Sequence, residues 1–366
     1  MARPAVSFIV QRHMPTTRPQ HGAATPLAPR DDDELEELLS RPAPAVVDTL
    51  RRVPGHFIVL GAGGKMGPSL TAMVKRALQQ AGDDREVIAV SRFSSADAVS
   101  HLERAGVRVV RAELGDRDAI ASLPDAANVI YMAGQKFGTR DLPSLTWAVN
   151  TLVPAMVAER YAASRIVAFS TGNVYPLSPA STSGSREGDP LTPVGEYANS
   201  CVGRERVLEH VSRTRGTPIA IIRLNYAVDL RYGVLVDIAH RVASGDAVRL
   251  DMGYVNVIWQ GDANAQAIRA LELAASPPFV VNVTGPDRLS VRDAATRLGE
   301  LLGATPRFEG HEAPDALLSD TSLAQSVFGA PTMSTATLIE WVASWVARGG
   351  TRLDKATKFE VRDGRY

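Results

Sequence analysis

Cysteine is all but missing: Cys201 is the only one in 366 residues. That excludes an internal disulfide framework and a cysteine-based metal centre. The seven histidines are scattered and form no His-x-x-x-His pair, so no metal is expected. Charge of one sign is also missing, since 40 basic residues balance 40 acidic ones and no long basic block stands out. Neither a nucleic acid nor a membrane surface is therefore expected as a partner. No apolar run reaches the about 18 residues that a spanning helix needs. There is no internal repeat. With 45% hydrophobic and 22% charged residues, the chain reads as globular, and a cytoplasmic location is expected.

The first thirty residues lack acids altogether and carry Arg3, Arg12, Arg18, Arg30 and five prolines. Phe8-Ile9-Val10 is too short for the core of a secretory signal. A transit peptide, a disordered tail, and a start displaced to Met14 or beyond all stay open. Asp31-Asp32-Asp33 caps a helix running to Leu39, and 45–52 reads as a second helix. Residues 31–54 are thus expected to form an N-terminal arm.

What the chain does have is alternation. Short apolar strands are expected at 57–60, 87–90, 107–110, 129–132, 166–169 and 219–224. Helices fall between them at 68–81, 96–105, 117–122, 145–163 and 196–215, with Pro154 a kink in the long one. This pattern implies βαβ units and a parallel sheet buried on both faces. Residues 176–195 break the rhythm with four prolines and many Ser and Thr, and read as a long loop beside the strand ends. Residues 226–348 read mostly as a smaller lobe, with a returning strand at 279–283 and helices at 291–302 and 335–347. Residues 349–366 form a polar tail over the body.

Gly61-Ala62-Gly63-Gly64-Lys65-Met66-Gly67 joins the first strand to the first helix of this pattern. Its glycines let the backbone approach a pyrophosphate, and the first helical amides point at the negative charge. A nucleotide cofactor is the hypothesis that follows.

Four further segments fall into order behind it. They are Ser170-Thr171-Gly172-Asn173-Val174-Tyr175, Tyr197-Ala198-Asn199-Ser200-Cys201 with Glu205, Arg223-Leu224-Asn225-Tyr226, and Asn256-Val257-Ile258-Trp259-Gln260-Gly261-Asp262. Together with the glycine loop they resemble the extended short-chain dehydrogenase/reductase family, in its sugar-nucleotide epimerase/dehydratase branch. The resemblance covers roughly residues 55–348. It implies a Rossmann-type doubly wound α/β sheet of about seven strands over 55–225, with a smaller C-terminal substrate-binding lobe. It also implies a homodimer built on the helices at 145–163 and 196–215.

The resemblance assigns Gly61, Gly63, Gly64, Lys65, Met66 and Gly67 to the pyrophosphate. Members that prefer NAD carry an acid at the end of the second strand; here Ser91-Arg92 stands there. Ser91 leaves room and Arg92 can pair with a 2′-phosphate, so NADP is expected, with NAD as the alternative. Glu113 and Leu114 match a pair that touches the adenine. Met132, Ala133 and Gly134 match the segment under the nicotinamide ribose, and Asn150 a helical Asn that supports the active site.

Thr171 takes the position that hydrogen-bonds the reacting oxygen, and Tyr197 that of the general acid/base. Sugar dehydratases of this family have Asp-Glu after that threonine. Gly172 and Asn173 cannot move protons that way, which argues against such a dehydration. In relatives a lysine stands four residues after the tyrosine, lowering its pKa and bonding the ribose. Here Cys201 holds that position. A phenol with its ordinary pKa of ~10 is about one part in a thousand ionised at neutral pH, a cost of roughly 4 kcal/mol if ionised tyrosine is needed.

Three readings stay open. Another cation replaces the lysine, from Arg204, Lys136 or Arg140. Alternatively, Tyr197 acts as a neutral acid in carbonyl reduction. Finally, catalysis is lost and the chain is a dinucleotide-binding sensor or scaffold. The substrate pocket is expected from Lys136–Arg140, Asn173, Tyr175, Asn225, Tyr226, Arg231, Asn256 and Trp259. Amides and aromatic faces suit a sugar-like ligand. The expected function is an NAD(P)-dependent oxidoreductase or epimerase moving a hydride at a carbinol carbon.

Overall fold

A computed structural model describes residues 27–138, 141–353 and 355–365. The expectations for residues 1–26 and for Arg140 lie outside the described residues. The helices are α1 (Asp32–Leu39), α2 (Pro44–Arg52), α3 (Gly67–Gln80), α4 (Ala96–Arg104), α5 (Arg117–Ala121), α6 (Pro143–Trp147), α7 (Val153–Arg160), α8 (Gly195–Arg215), α9 (Val234–Ser244), α10 (Gln260–Arg269), α11 (Val291–Leu302), α12 (Ser322–Phe328) and α13 (Thr335–Ala347). The first five strands are β1 (Phe57–Leu60), β2 (Val87–Ser91), β3 (Arg108–Arg111), β4 (Asn128–Tyr131) and β5 (Arg165–Thr171).

These five strands join Ile219–Leu224 and Phe279–Val283 in one seven-stranded sheet. Its order is Phe279–Val283, Ile219–Leu224, β5, β4, β1, β2, β3, with every neighbouring pair parallel. The chain runs outward from β1 to β3, then returns to the other side of β1 with β4. That reversal is the switch point where doubly wound sheets hold ligands, beyond the carboxyl ends of the strands.

The period of two along each strand decides which core a side chain enters. Phe57, Val59, Val87, Ala89, Ile130 and Val167 face one way, onto Leu70 and Met73 of α3 and Ala263 and Ile268 of α10. Ile58, Leu60, Ile88, Val90, Val129 and Ile166 face the other, onto Val153 and Val157 of α7 and Leu208 and Val211 of α8. A third core gathers Ile238 of α9, Leu298 of α11 and Trp341 of α13, and takes in Leu35 and Leu39 of α1.

Local chemistry explains the element ends. Asp31 accepts a hydrogen bond from the Glu34 amide at 2.9 Å and starts α1. Gly216, at φ +69°, ends the 21-residue helix α8. The helix runs unbroken from α6 through a π-helical turn over Ala148–Leu152 into α7, and that irregular turn immediately precedes Pro154, whose ring and missing N–H disturb the carbonyl four residues back, where the expected kink would fall. The expected loop at 176–195 is pinned rather than free. Ser178–Pro179 pairs with Asp315–Ala316, and Ser185 bridges to Ser319. Among the described residues no helix is long and apolar enough to cross a membrane, and no group of three His, Cys, Asp or Glu is placed to hold a metal.

Candidate active site

The glycine loop turns sharply at the end of β1. The amides of Gly61 and Ala62 both donate to the Val90 carbonyl, at 2.9 and 3.1 Å. Gly61 has φ +90°, and a Cβ there would stand 2.6 Å from the Ala133 nitrogen. At Gly63 a Cβ would meet Ser91 Oγ at 2.7 Å, and at Gly67 it would strike the Ala62 carbonyl. Gly64 closes the turn by donating to Gly61 at 3.0 Å. Met66 packs on the core as α3 begins. These glycines thus let the turn pack tightly on β4, on Ser91 and on its own first residues, where any side chain would collide.

Lys65 reaches over the loop. Its ammonium lies 3.3 Å from the centroid of Tyr232 and 5.1 Å from that of Phe137. Burial pulls its pKa down to about 7, helped by Lys355 and Lys136 and opposed by Asp237. Beyond the loop, exposed Arg92 pairs with Glu113 at 3.4 Å. Arg111 donates to the Phe93 carbonyl at 2.8 Å and fixes that turn, where Phe93 has φ +50°. Leu114 is buried beside it. Met132 continues β4 by donating to Leu60 at 2.8 Å.

Asn150 sits in the π-turn, fully buried. Its Nδ2 donates to the Gln135 carbonyl and to Ser200 Oγ, both at 2.9 Å, and its Oδ1 accepts from the Gln135 amide at 2.9 Å. Arg204, a turn further along α8, supplies the other donor to that Oδ1, at 2.7 Å. Its guanidinium also bonds the carbonyls of Asn150 and Phe169, at 3.2 and 2.6 Å. Gly134 makes the room, since a Cβ there would stand 2.7 Å from Arg204 Nη2.

Cys201 is completely buried. Burial pushes its thiol pKa up, while Arg204 and a hydrogen bond with Tyr197 pull the other way. Lys136 brings a second cation to this place, with its ammonium 5.9 Å from the Tyr197 ring centroid. Burial draws Lys136 down to about 8. Tyr197, Cys201, Arg204 and Lys136 therefore form one cluster. Thr171 ends β5 and donates to Asn173 Oδ1 at 3.0 Å.

Of the residues expected at the substrate, Arg231 and Trp259 are engaged elsewhere and are corrections, while Asn256, Asn225 and Tyr175 also make contacts within the chain. Arg231 is taken up by Asp229 and Glu36, each at 2.7 Å, and by Asp32 at 3.2 Å; it ties the lobe to α1. Trp259 is a core residue, edge-on to Trp341 at 5.7 Å. Asn256 accepts from the Ser319 amide at 2.9 Å and donates to the Asp287 carbonyl at 3.2 Å. Asn225 donates to the Leu317 carbonyl at 3.4 Å. The Tyr175 hydroxyl lies inside a buried network, accepting from Arg223 at 2.6 Å and donating to Asn282 at 2.9 Å. Residue type showed chemistry here, but not direction.

The tail was expected over the body, but not as a wall of the cleft. Lys136 donates to the Thr357 carbonyl at 3.4 Å, and Tyr226 to that of Phe359 at 3.5 Å. Asn173, Tyr175, Val361, Arg362 and Gly364 line a cavity of about 30 Å³. Phe137 lies within the expected Lys136–Arg140 segment, whereas Tyr232, Asp237, Lys355 and Lys358 were not found from the sequence. Only the basic character of Lys355 and Lys358 hinted at them.

Residues 57–228 match the family model described as the NAD dependent epimerase/dehydratase family. No curated protein matches the chain. Solved structures do. A UDP-glucose 4-epimerase from Thermotoga maritima, with UDP-glucose, is 18% identical at a TM-score of 0.66, covering 80% of this chain and 99% of that one. The UDP-Glc/GlcNAc 4-epimerase of Campylobacter jejuni is 20% identical at 0.66 with the same coverage. DesIV, a dTDP-glucose 4,6-dehydratase from Streptomyces venezuelae with NAD and TYD bound, is 18% identical at 0.67, covering 80% and 97%. At such identities the likeness is one of fold.

Proposed function

We propose, from the premise that residues 57–228 belong to the NAD dependent epimerase/dehydratase family, that this chain is an NAD(P)-dependent oxidoreductase or epimerase of sugar-like substrates, of the nucleotide-sugar class. The observation that carries the reading is the buried guanidinium of Arg204 beside Cys201 and Tyr197. The lysine is gone from position 201, yet a fixed, buried cation remains close enough to Tyr197 for their charges to interact. Of the three readings left open, replacement by another cation is the one this supports.

The turn of Gly61, Gly63 and Gly67 fits a dinucleotide, because glycines alone allow so tight a strand-to-helix turn, whose amides then lead into the start of α3. When bound, the nicotinamide supplies the hydride acceptor and donor. Tyr197 holds or gives up the proton at the substrate oxygen, and Thr171 bonds the same oxygen. Arg204 and Lys136 supply the positive potential that favours charge on Tyr197. Asn150 fixes Arg204 and, through Ser200, the turn of α8 that bears Tyr197. Epimerisation would use the same step twice, with the keto intermediate rotating or enolising between.

At the ribose end, the pair Arg92–Glu113 is exposed and so contributes only about 0–1 kcal/mol. A 2′-phosphate offers Arg92 a stronger partner, which supports NADP over NAD. The homodimer has its own support. Leu142, Leu145, Trp147 and Leu152 expose large apolar side chains along one stretch from α6 into the π-turn, and Val194 does so before α8.

The test is calorimetry with NADP(H) and NAD(H) on the wild type and Arg92→Ala, followed by turnover of UDP-glucose and UDP-glucuronate. Binding without turnover across that panel would move the chain to the sensor or scaffold reading. No dinucleotide binding would sink both readings. A monomer by light scattering would remove the dimer.

A further inference from the structure

We propose that residues 361–365 are a plug seated in the substrate cleft and latched to the lobe by Arg362, which lifts before a nucleotide sugar enters. The proposal rests on the nucleotide-sugar reading above and adds a gate to that same site.

The seat lies where a substrate is expected. Ligands of a doubly wound sheet sit beyond the carboxyl ends of its strands. Asn173 follows the end of β5, two residues after Thr171. Val194 stands just before α8, three residues before Tyr197. Val361, Arg362 and Gly364 close over these two residues and over Leu317 of the lobe. The cavity left between them is about 30 Å³, the share of one water molecule. Small-molecule pockets run to roughly 300–1,000 Å³. With the plug in place, a sugar has no room there.

The chain before the plug is a fixed post. Thr357 donates through its amide and its hydroxyl to Asp237 Oδ2, at 2.7 and 2.6 Å. Phe359 is buried in the core of α9, α11 and α13. A turn then sends the chain back over the cleft. The Val361 amide donates to the Lys358 carbonyl at 3.2 Å, and Lys358 has φ +53°, a conformation that persists where its surroundings impose it.

Beyond that turn the attachments change in kind. Val361 is half-buried and joins none of the cores. Arg362 Nη1 donates to the carbonyls of Asp251 and Asp315, both at 3.0 Å, and Nη2 pairs with the Asp315 carboxylate. Both partners of that ion pair are partly exposed, so it holds lightly. Gly364 meets Gly195 backbone to backbone: a Cβ on Gly364 would strike the Val194 carbonyl, and one on Gly195 the Gly364 carbonyl. The plug thus rests by shape on the helix that bears Tyr197. A short segment with a buried post and a partly exposed latch opens locally, at less cost than global unfolding.

The experiment uses full-length protein carrying Leu317→Cys. Leu317 is buried under the plug. Native Cys201, completely buried, reports global opening in the same molecule. Labelling of both thiols by iodoacetamide is followed by mass spectrometry. Position 317 should label at least tenfold faster than Cys201. Arg362→Ala should speed position 317 at least fivefold more and leave Cys201 unmoved. The control Arg213→Ala, on the exposed side of α8, should change neither. Labelling of 317 no faster than Cys201 with and without Arg362→Ala would overturn the proposal, leaving a static wall.

UDP-glucose is then titrated into the wild type and Arg362→Ala. A closed plug lowers apparent affinity by the open fraction, so the variant should bind at least fivefold more tightly. Unchanged or weaker binding by the variant would overturn the gate. Fast labelling of 317 with no UDP-glucose binding by either protein removes the nucleotide-sugar reading and leaves the moving plug. Equal UDP-glucose binding by both proteins, with 317 protected, removes the plug and leaves that reading.

Discussion

Nη2 of Arg204 donates to Oδ1 of Asn150 across 2.7 Å, so the helix bearing Tyr197 is fastened to the π-turn before α7 by a buried charge. The same guanidinium serves two backbone carbonyls. Arg204→Met would take one donor from each of these acceptors, leaving Asn150 Oδ1 with the Gln135 amide alone, at about 1–3 kcal/mol for each group left without a partner. The expected result is a loss of roughly 3 kcal/mol or more in urea unfolding, together with weaker Tyr197-dependent turnover. Arg204→Lys should recover part of the stability, because one ammonium cannot reach all three acceptors.

Position 201 tests whether Arg204 stands in for the family's lysine. Cys201→Lys buries an ammonium beside that guanidinium in a site with no exposure. It should destabilise the fold by several kcal/mol. The double variant Cys201→Lys/Arg204→Met should be more stable than the sum of its parts. A double-mutant cycle with zero coupling would show that the two positions do not share one cation site.

Strands were legible because an apolar run and its period are local properties: 57–60 and 219–224 fall where expected. Arg204 was legible too, since seven residues along a helix is about two turns and returns a side chain to the same face. Pro154 marked an irregularity in the long helix, but not that it takes the form of a π turn, because one extra residue per turn leaves no mark in composition. Arg231 and Trp259 misled for a related reason. Both have the right chemistry for a ligand, and only tertiary packing shows three acids around one and a tryptophan edge against the other. The wall at 355–365 was least legible: its residues matter through where Thr357 and Phe359 anchor them.

Lys65 fixes a pH dependence. Its pKa is drawn down to about 7 by burial and by Lys355 and Lys136, against Asp237, with the Tyr232 and Phe137 rings beneath it; Lys358 also borders Phe137. An anion needs the protonated form. Affinity for the cofactor's pyrophosphate should therefore fall as pH rises through 7, and further through about 8 as Lys136 follows. The ligand-free protein should do the opposite. An unfolded lysine titrates near ~10.4, so between about pH 7 and 10 the unfolded state binds more protons and these groups add stability as pH rises. Calorimetry at pH 6.5 and 8.5, with Lys65→Met expected to flatten the first step, checks the sign.

The network under Thr171 separates architecture from substrate contact. Arg223 pairs with Glu205 at 2.7 Å with both side chains buried, and it donates to the Tyr175 hydroxyl at 2.6 Å. Burial nevertheless pushes Tyr175 up to about 12, so its hydroxyl stays a neutral relay to Asn282. Arg223→Met would strand the Glu205 carboxylate and should cost about 3–5 kcal/mol in urea unfolding. Glu205→Leu/Arg223→Met should cost less than that single change, because no charge is left unpaired. Tyr175→Phe removes hydrogen bonds alone and should cost about 1–3 kcal/mol. If Tyr175 is structural, that variant keeps the wild-type KM for any nucleotide sugar the enzyme turns over. A tenfold rise in KM at unchanged kcat would return Tyr175 to the substrate.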